Sequence, residues 1–436
     1  MSDMSKSVLS MPVAASNPAA PRLSSLLNFA AVRGARNSAK SASNDEGHDV
    51  IVARHHASIG EIDEAEWNRL FTDASENWGY FRGVERAGSQ HFSYSAVAAY
   101  KDGRLIAAAP VFRLDYRLDM TLPAGAKMLG DWLAERAPRL VKVPVLGLGS
   151  PMTEECPIGL DASLDQRERA IAFAALTRAL EERAKAEKIR FIALKDITDC
   201  DAQWADAPLA GSGFAHMASL PVATLPLPYA SFDDYLGSMP SKKRTDIRKK
   251  LKAASDIDVE FCDDIENVYD EILALYQATR ANRKANYEAF DEIPENYFRE
   301  VIATSGGKAK VALFRLDGRI VCFSFFLIEK DKLIGKFLGM DYTVARARNL
   351  YFLNWMTIVR FCIEKGISHF QAGQTTYAVK VRLGCKLKHS WIYFKHTGPV
   401  LGPLVRRLGQ KLSLEAVDPE LGTLGDKAKY LTPAQQ

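Results

Sequence analysis

The chain has 436 residues, of which 47% are hydrophobic and 25% are charged, and its formal net charge is +4. This length allows two domains of ordinary size. The charge excess is too small to indicate a nucleic-acid partner, and no run of about 18 apolar residues predicts a membrane span. Six scattered cysteines without a C-x-x-C pair predict buried thiols in the cytoplasm, with neither disulfides nor a metal site.

The two ends of the chain differ in composition from the rest. Residues 1–48 are rich in Ser, Ala and Asn, which predicts a disordered leader. A basic amphipathic helix over 22–36, for membrane contact or targeting, is the alternative. The tail, 398–436, starts with a basic and apolar stretch. It predicts surface packing, with peripheral contact at the inner membrane as the alternative.

The predicted elements of the two halves follow one plan. In the first half they are a helix over 61–72, strands over 94–100 and 104–113, a helix over 167–188 and a strand over 191–194. In the second half they are a helix over 265–283, strands over 310–316, 319–328 and 333–339, a long apolar helix ending at Gly366 and a strand over 367–372. Both hairpins turn at Asp-Gly, a strong hairpin signal.

Two pairs of segments are alignable between the halves. KDGRLIAAAPVFRL matches RLDGRIVCFSFFLI, and AEKIRFIAL matches IEKGISHFQ. The chain therefore predicts two copies of one α/β unit, with domains over 49–222 and 223–397 and a seam near Pro221–Pro228.

A dense basic segment, Ser241–Lys252, carries seven cations and one acid on a predicted helix with only two apolar residues. A solvated helix face is one interpretation. The other is a surface for anionic groups, such as CoA phosphates, lipid head groups or an RNA backbone, with Lys243, Arg244 and Arg248 as contacts.

Several common catalytic motifs are missing from the sequence. There is no G-x-x-x-x-G-K-[ST], no G-x-G-x-x-G after a strand, no H-E-x-x-H and no G-x-S-x-G. The Gly-rich run VLGLGSP predicts a tight turn more readily than a phosphate loop. These absences direct attention to the second half.

The stretch over 367–396 predicts a strand, a Gly-turn at Gly373, a short helix and a second strand over 391–394 that closes the same unit. It follows a long helix, as in a parallel crossover, and such crossovers open crevices at strand ends.

Acyl transfer to an amine needs a base, a donor to the oxyanion and an acid for the leaving group. Lys380 is the candidate oxyanion donor, and Tyr377, on the same helical face, is the candidate acid. His369 or Asp341 is the candidate base. Gln371 shares a strand face with His369, although a packed structural histidine is the alternative for His369.

At these positions the chain resembles the GNAT acyltransferase superfamily, and more closely the tandem-GNAT proteins related to Fem-type peptidyltransferases. The resemblance rests on the run G-x-x-x-Y-x-x-K-x-x-x-G from Gly373 to Gly384, the Asp317-Gly318 hairpin and the helix ending in EKGI. It implies an α/β fold of two tandem GNAT-like domains with mixed central sheets. It also implies a thioester or aminoacyl-tRNA donor, an amine acceptor, and a Lys380 that stabilises the tetrahedral intermediate.

The resemblance also implies binding residues. Those for the substrate are Gln371, Gly373, Thr376, Gly384, Tyr276 and Arg280. Those for the donor are Arg346, Arg348 and Asn349, together with Lys243, Arg244 and Arg248. The GNAT pyrophosphate loop is not present before the long helix, which favours a longer acyl chain or an acyl carrier protein over acetyl-CoA bound in the usual way. We expect no tightly bound cofactor and an acyl-CoA or acyl carrier protein thioester as co-substrate.

Three functions remain open from the sequence. The leading hypothesis is transfer of a fatty acyl group to a primary amine, such as the amine of a sphingoid base, because some bacterial relatives in this broad group acylate lipids. The second is aminoacyl-tRNA-dependent peptidyl transfer to a peptidoglycan precursor. The third is a non-catalytic GNAT-like module of polysaccharide or envelope biosynthesis. Aromatic residues of the second half predict either core or an acyl-chain channel; they are Phe323, Phe325, Phe326, Phe337, Tyr351, Phe352 and Trp355.

Overall fold

The structure is a computed structural model that describes residues 51–117, 142–282, 293–399, 401–409, 419–425 and 430–431. The predicted leader lies outside these residues, as do parts of the predicted tail. The statements that follow concern the described residues.

The α-helices are numbered here along the chain. They are α1 (Glu64–Leu70), α2 (Trp78–Ala87), α3 (Gln166–Ala186), α4 (Asp199–Gly211), α5 (Phe232–Gly237), α6 (Ser241–Lys252), α7 (Tyr269–Ala281), α8 (Tyr297–Thr304), α9 (Tyr342–Ala345), α10 (Leu350–Glu364), α11 (Tyr377–Arg382), α12 (Leu401–Gly409) and α13 (Pro419–Leu424). Short 3-10 helices precede α1 and α7, at Ile59–Glu61 and Glu266–Val268.

The strands are numbered in the same way. They are β1 (Ile51–His56), β2 (Phe92–Lys101), β3 (Arg104–Arg117), β4 (Lys142–Leu148), β5 (Gly159–Leu160), β6 (Phe191–Thr198), β7 (Ala215–Ala218), β8 (Val222–Pro226), β9 (Ile257–Cys262), β10 (Ala309–Leu316), β11 (Arg319–Ile328), β12 (Lys332–Met340), β13 (His369–Gln371), β14 (Lys386–Lys388) and β15 (Ser390–His396).

These strands form two mixed sheets, and one strand of the second half joins the first sheet. The first sheet has the order β1-β2-β3-β4-β6-β15-β7, with β5 beside β3, and the second has the order β14-β8-β13-β12-β11-β10-β9. Strand β8, which follows β7 and begins at the predicted seam, lies between β13 and β14. Strand β15 leaves the second half to lie between β6 and β7.

The position of β15 corrects the expectation that the strand over 391–394 closes the second unit. It completes the first sheet instead, because its side chains are anchored there. The Trp391 indole donates to Asp199 Oδ1 at 2.7 Å, and the Tyr393 hydroxyl donates to Asp206. Tyr393 is also buried in the core of the first half. The domain limits 49–222 and 223–397 remain a prediction, and β15 pairs outside the second sheet.

The two Asp-Gly hairpins are equivalent in detail. Asp102 and Gly103 have φ of 52° and 80°, and Asp317 and Gly318 have φ of 50° and 77°, as a two-residue type I′ turn requires. Each hairpin has a register shift two residue pairs before its turn, at Ala99/Tyr100 and Phe314/Arg315. A bulge in the same place supports the internal repeat predicted from the sequence.

Each half contains one parallel crossover. Helix α3 connects β4 to β6, and α10 connects β12 to β13. Their apolar faces form separate cores, one beneath each sheet. A further core lies between the two halves, where α1 and α2 meet α7 and α8.

The contact between α2 and α8 is a close one. A Cβ on Gly79 or Gly83 would collide with Thr304, so only glycine allows the two backbones this approach. The hydroxyls of Tyr80 and Tyr297 lie 2.9 Å apart across the contact. The two sheets are thus held together by a packed helix pair and by β15.

Across the described ranges, none of the helices combines the length and the apolar character that a membrane crossing requires.

Candidate active site

The second sheet opens where its two parallel strands separate. Strand β13 pairs with β12 only along Lys332–Ile334, whereas β12 continues to Met340. Crevices of this kind, at the carboxyl ends of parallel strands, are common ligand sites in α/β proteins. The chain that follows β13 runs into this opening.

The turn from β13 to α11 is strained. Gly373 has φ of 78°, and Thr375 and Thr376 have φ of 64° and 52°. Positive φ is unusual for any non-glycine residue and a clear outlier for a β-branched one, and each such residue costs about 1–3 kcal/mol. Strain of this size persists only where surrounding contacts enforce it, and it concentrates at functional sites.

Lys380 holds this turn from the inside. It is only 6% exposed, and its ammonium donates to the Gly373 carbonyl at 3.1 Å and to the Gln374 carbonyl at 2.8 Å. Burial lowers the pKa of Lys380 to about 8, with Cys385, Glu154 and Glu420 opposing the decrease. At pH 7 the ammonium form therefore exceeds the amine by roughly ten to one.

A carboxylate from the first half reaches the same turn. Glu154 Oε2 accepts a hydrogen bond from Gln371 Nε2 at 2.6 Å. Its other oxygen would lie 2.8 Å from a Cβ on Gly373, so the glycine makes room for the carboxylate. Glu154 is partly exposed and stays reachable by a ligand. Sequence reasoning missed this residue; the adjacent acids of Thr153-Glu154-Glu155, in a Gly- and Pro-rich loop, were the available signal.

Behind Glu154 lies a buried ion pair between the halves. Lys336, at a bulge in β12, donates to Glu76 at 2.7 Å and to the Met152 carbonyl at 2.6 Å. Burial lowers the pKa of Lys336, but the Glu76 and Glu154 carboxylates together raise it above the ordinary value. Because a buried charge without a partner is costly, this pair fixes the loop that carries Glu154.

Asp341 is not arranged to act as a base. It caps α9 through Thr343, whose amide and hydroxyl donate to it at 2.9 and 2.6 Å, and it pairs with Arg319 at 2.6 Å. The Thr343 hydrogen bonds hold its pKa below the ordinary value, and Arg319 contributes in the same direction. It lines a groove of about 550 Å³ between α7 and the ends of β11 and β12. The base role of Asp341 stays a prediction, and these contacts do not favour it.

Tyr377 and His369 flank the opening without a clear catalytic geometry. The buried hydroxyl of Tyr377 donates to the Pro221 carbonyl at 2.9 Å, which ties α11 to the segment before β8. His369 begins β13, and its Nδ1 lies 2.8 Å from Ser368 Oγ. Their acid and base roles stay predictions.

Four of the six predicted substrate residues lie at the turn or just after α11, and the other two lie on α7. Gln371, Gly373 and Thr376 lie at the turn, and Gly384, with φ of 106°, follows α11. Tyr276 does not belong with them.

Tyr276 is buried against Phe298 and Phe337, with ring centroids 5.9 and 5.8 Å away, and its contact with substrate stays a prediction. Arg280 lies in the last turn of α7.

The predicted donor residues surround the start of α10. Asn349, in the left-handed region, precedes the helix. Arg346 is exposed, whereas Arg348 pairs with Asp256 at 2.8 Å.

On α6, Lys243 donates to the Arg382 carbonyl at the end of α11. Arg244 donates to the Met239 carbonyl at 3.4 Å, and Arg248 lies 3.6 Å from Asp233. Several of these cations are thus already engaged within the protein.

The aromatic residues of the second half are core rather than a channel. Phe323 and Phe325 are fully buried between the halves, and Phe326 and Trp355 are buried beneath the second sheet. Phe337 packs against the first of these cores, and Tyr351 and Phe352 against the second. The core interpretation holds for this set.

Comparison with solved structures places this fold among known proteins. The C-terminal domain of a protein described as a lysylphosphatidylglycerol synthetase, from Agrobacterium fabrum, aligns with a TM-score of 0.50 at 13% identity, over 80% of this chain and 95% of that one. FemX aligns with a TM-score of 0.49 at 14% identity, over 75% and 93%. A tandem GNAT protein from the clavulanic acid biosynthesis pathway aligns with a TM-score of 0.47 at 12% identity, over 80% and 99%.

The predicted α/β fold class with mixed central sheets is confirmed, because the described strands form two mixed sheets flanked by helices. No curated protein sequence matches the chain at a significant level. The sequence model of the FemAB-like family, described as peptidoglycan biosynthesis/recognition, matches residues 150–406, which is more than half of the chain. The chain therefore belongs to the FemAB-like family.

Proposed function

We propose that the protein is an N-acyltransferase that moves an acyl group from a thioester to a primary amine. The observation that carries this proposal is the pairing of a buried, cationic Lys380 with a reachable carboxylate, Glu154, at the opening of the second sheet. The Lys380 ammonium can stabilise the negative charge that develops on the carbonyl oxygen, and the Glu154 carboxylate can accept a proton from the acceptor amine.

The chemistry proceeds in two steps. Glu154 removes a proton from the acceptor ammonium, and the free amine attacks the thioester carbonyl carbon, forming the C–N bond. The electron pair of the C=O bond moves to oxygen, where the Lys380 ammonium stabilises it. The tetrahedral intermediate then collapses: the C–S bond breaks, and the leaving thiolate takes up the proton that Glu154 received. The amide nitrogen gives its remaining extra proton to the freed Glu154 carboxylate, which passes it to solvent.

Removal of one such oxyanion donor typically costs about 10²–10³ in rate, and a positioned base contributes about 10²–10⁴. Lys380 and Glu154 are therefore sufficient for a substantial acceleration.

The donor is a CoA or acyl carrier protein thioester bound beside α10. Three buried polar atoms on this helix have no hydrogen-bond partner among the residues that the structure describes: Tyr351 Oη, Asn354 Oδ1 and Trp355 Nε1. An unsatisfied buried polar atom costs about 1–3 kcal/mol, which a polar donor chain would offset. Trp355 of α10 and Tyr377 of α11 are buried in the same core, with Tyr351 packed against it, so α10 lies close to the helix that carries Lys380.

The acceptor is a lipid amine such as a sphingoid base. Support comes from α12, where Leu401 is 47% exposed and Arg406 and Arg407 lie on the surface. Apolar and cationic side chains on one short helix favour contact with an anionic membrane surface. The protein would then act peripherally, at the surface where its acceptor resides.

A second function is favoured by the family description, which refers to peptidoglycan. In it an aminoacyl-tRNA ester replaces the thioester, and the amine of a peptidoglycan precursor replaces the lipid amine. Lys380 and Glu154 would keep the same roles, because both donors pass through a tetrahedral oxyanion. Only the donor and the acceptor distinguish the two functions.

The test is turnover by the purified full chain. Thiol release from acetyl-CoA and palmitoyl-CoA is measured with a panel of amines that includes sphingoid bases, and aminoacyl-tRNA with a peptidoglycan precursor is assayed in parallel. We expect thiol release that depends on the amine and is lost in Lys380→Ala. Turnover with aminoacyl-tRNA alone would favour the second function, and consumption of neither donor would leave a binding module. Lipid profiling of a deletion strain would identify a missing N-acylated lipid.

A further inference from the structure

The C-terminal segment reaches the Lys380 site. Helix α11 begins after Thr376, which is in the left-handed region and makes no capping bond with its own side chain in the described structure. The first amides of a helix need partners from outside it. Here Glu420, on α13, accepts from Tyr377 N at 2.8 Å and from Ala378 N at 3.1 Å. One carboxylate from 42 residues away therefore caps the catalytic helix.

Glu420 is itself held in place. On its own helix, Leu421 and Leu424 are buried in the core beneath the second sheet. Further along, Leu431 N donates to the Leu387 carbonyl of β14 at 2.8 Å. The Tyr430 ring stacks on His389 with centroids 4.0 Å apart and planes 5° from parallel. The segment is therefore docked at several described residues that follow the carboxylate.

The strained turn before α11 is held from two directions. Lys380 binds the Gly373 and Gln374 carbonyls from within, and Glu420 binds the first amides of α11 from outside. Between these contacts lie Thr375 and Thr376, both with positive φ. A turn of this kind relaxes when one of its restraints is removed.

We propose that Glu420 is a positioning residue for acyl transfer: it fixes the first turn of α11 and thereby keeps the Lys380 ammonium at the opening of the second sheet. This inference rests on the proposed function, since it assumes that Lys380 acts as a cation there.

The charges around Lys380 give this role a measurable signature. Three titratable groups act on it: Cys385 before β14, Glu154 from the first half and Glu420 from α13. All three oppose the effect of burial, which lowers the pKa of Lys380 to about 8. Removal of the Glu420 charge lowers that pKa further, so Lys380 loses its proton at a lower pH. Because acyl transfer needs the ammonium form of Lys380, the decline of activity on the alkaline side should then begin at a lower pH.

The experiment compares Glu420→Gln with Glu364→Gln, a change at an exposed acid at the end of α10. The pKa of Lys380 is measured by competitive labelling of amines with trace acetic anhydride across pH, read by peptide mass spectrometry. We expect a decrease in Glu420→Gln and no change in Glu364→Gln. The alkaline limb of the kcat/KM profile should move by the same amount.

Two results would overturn the proposal. One is an unchanged pKa of Lys380 in Glu420→Gln. The other is a loss of activity with an unchanged profile shape, which is the behaviour of a structural contact. Glu420→Asp retains the charge and should restore most of the Lys380 pKa. If the wild-type protein turns over no amine, the proposed function fails, yet labelling still decides whether Glu420 controls Lys380.

Discussion

The two halves share a plan but differ at the join between the last crossover strand and the next helix. In the first half, β6 runs directly into α4, and Thr198 is both the last strand residue and the cap of Asp201 N. In the second half, five residues separate β13 from α11, three of them with positive φ. The fourth residue of α4 is Ala202, and the fourth residue of α11 is Lys380.

The pairing of the two parallel strands before this join also differs between the halves. Strand β4 pairs with β6 up to its last residue, so the first sheet does not open at this point. The loop after β4 then packs on β6: Cys156 N donates to the Asp196 carbonyl at 2.8 Å, and Lys195 donates to the Thr153 carbonyl at 2.8 Å. The same loop carries Glu154 to the second sheet. One copy has thus closed its own crevice and supplies a carboxylate to the other.

The most sensitive test of this asymmetry is Lys380→Ala. We expect kcat/KM to fall about 10²–10³-fold, because an oxyanion donor is removed, while the fold is retained. The matched control is Lys395→Ala, which removes a partly buried lysine of the first sheet that pairs with Glu181 at 2.9 Å. Its activity should stay within about threefold of wild type. Steady-state thiol release and circular dichroism measure both. An equal loss in the two variants would place the chemistry outside the second sheet.

Glu154→Gln examines the contribution of the first half. We expect a loss of about 10² in kcat/KM, since a general base is removed while the contact with Gln371 can be kept. Glu155→Gln is the control in the same loop, because Glu155 pairs with Lys388 at 3.0 Å. It should lower stability more than activity. If Glu154→Gln retains full activity at all pH values, the base lies elsewhere, and His369 becomes the first candidate.

The sequence predicts the repeated elements well but not the way in which the halves meet. Asp-Gly hairpins, the crossover helices and the short helix with Lys380 follow from local patterns. The placement of β15 in the first sheet does not, because β15 has the same alternation whichever sheet it joins. Glu154 and Gln371 are 217 residues apart, and no local signal connects them. For Asp341, the following Thr343 was a readable sign of a helix cap rather than a base.

Gly373→Ala tests the space that the turn leaves for Glu154. The change places a Cβ 2.8 Å from Glu154 Oε1, so the carboxylate must move, and we expect about a tenfold loss of activity. Gly366→Ala is a matched control, because Gly366 has a similar φ of 69° with no heavy atom of the described structure within 4 Å of the added Cβ. Both variants should lose about 1 kcal/mol of unfolding free energy. Only Gly373→Ala should lose activity; similar kinetics in the two would remove Glu154 from the site.

The smallest effect is expected for Tyr377→Phe. In the first half no tyrosine opens the corresponding helix, so this hydroxyl is either part of the chemistry or an anchor. Its hydrogen bond to the Pro221 carbonyl favours an anchor, which predicts a loss of about 1 kcal/mol in unfolding free energy. Activity should then stay within about threefold of wild type, since less than 1 kcal/mol would be lost from the transition state.

Tyr235→Phe is the control for Tyr377→Phe, because the Tyr235 hydroxyl donates to the Leu383 carbonyl at 3.2 Å, at the other end of α11. If the two variants lose similar stability in urea unfolding and both keep their activity, Tyr377 is an anchor. If Tyr377→Phe alone loses more than tenfold in kcat, its hydroxyl protonates the leaving thiolate, and the difference between the halves then includes Tyr377 as well as Lys380.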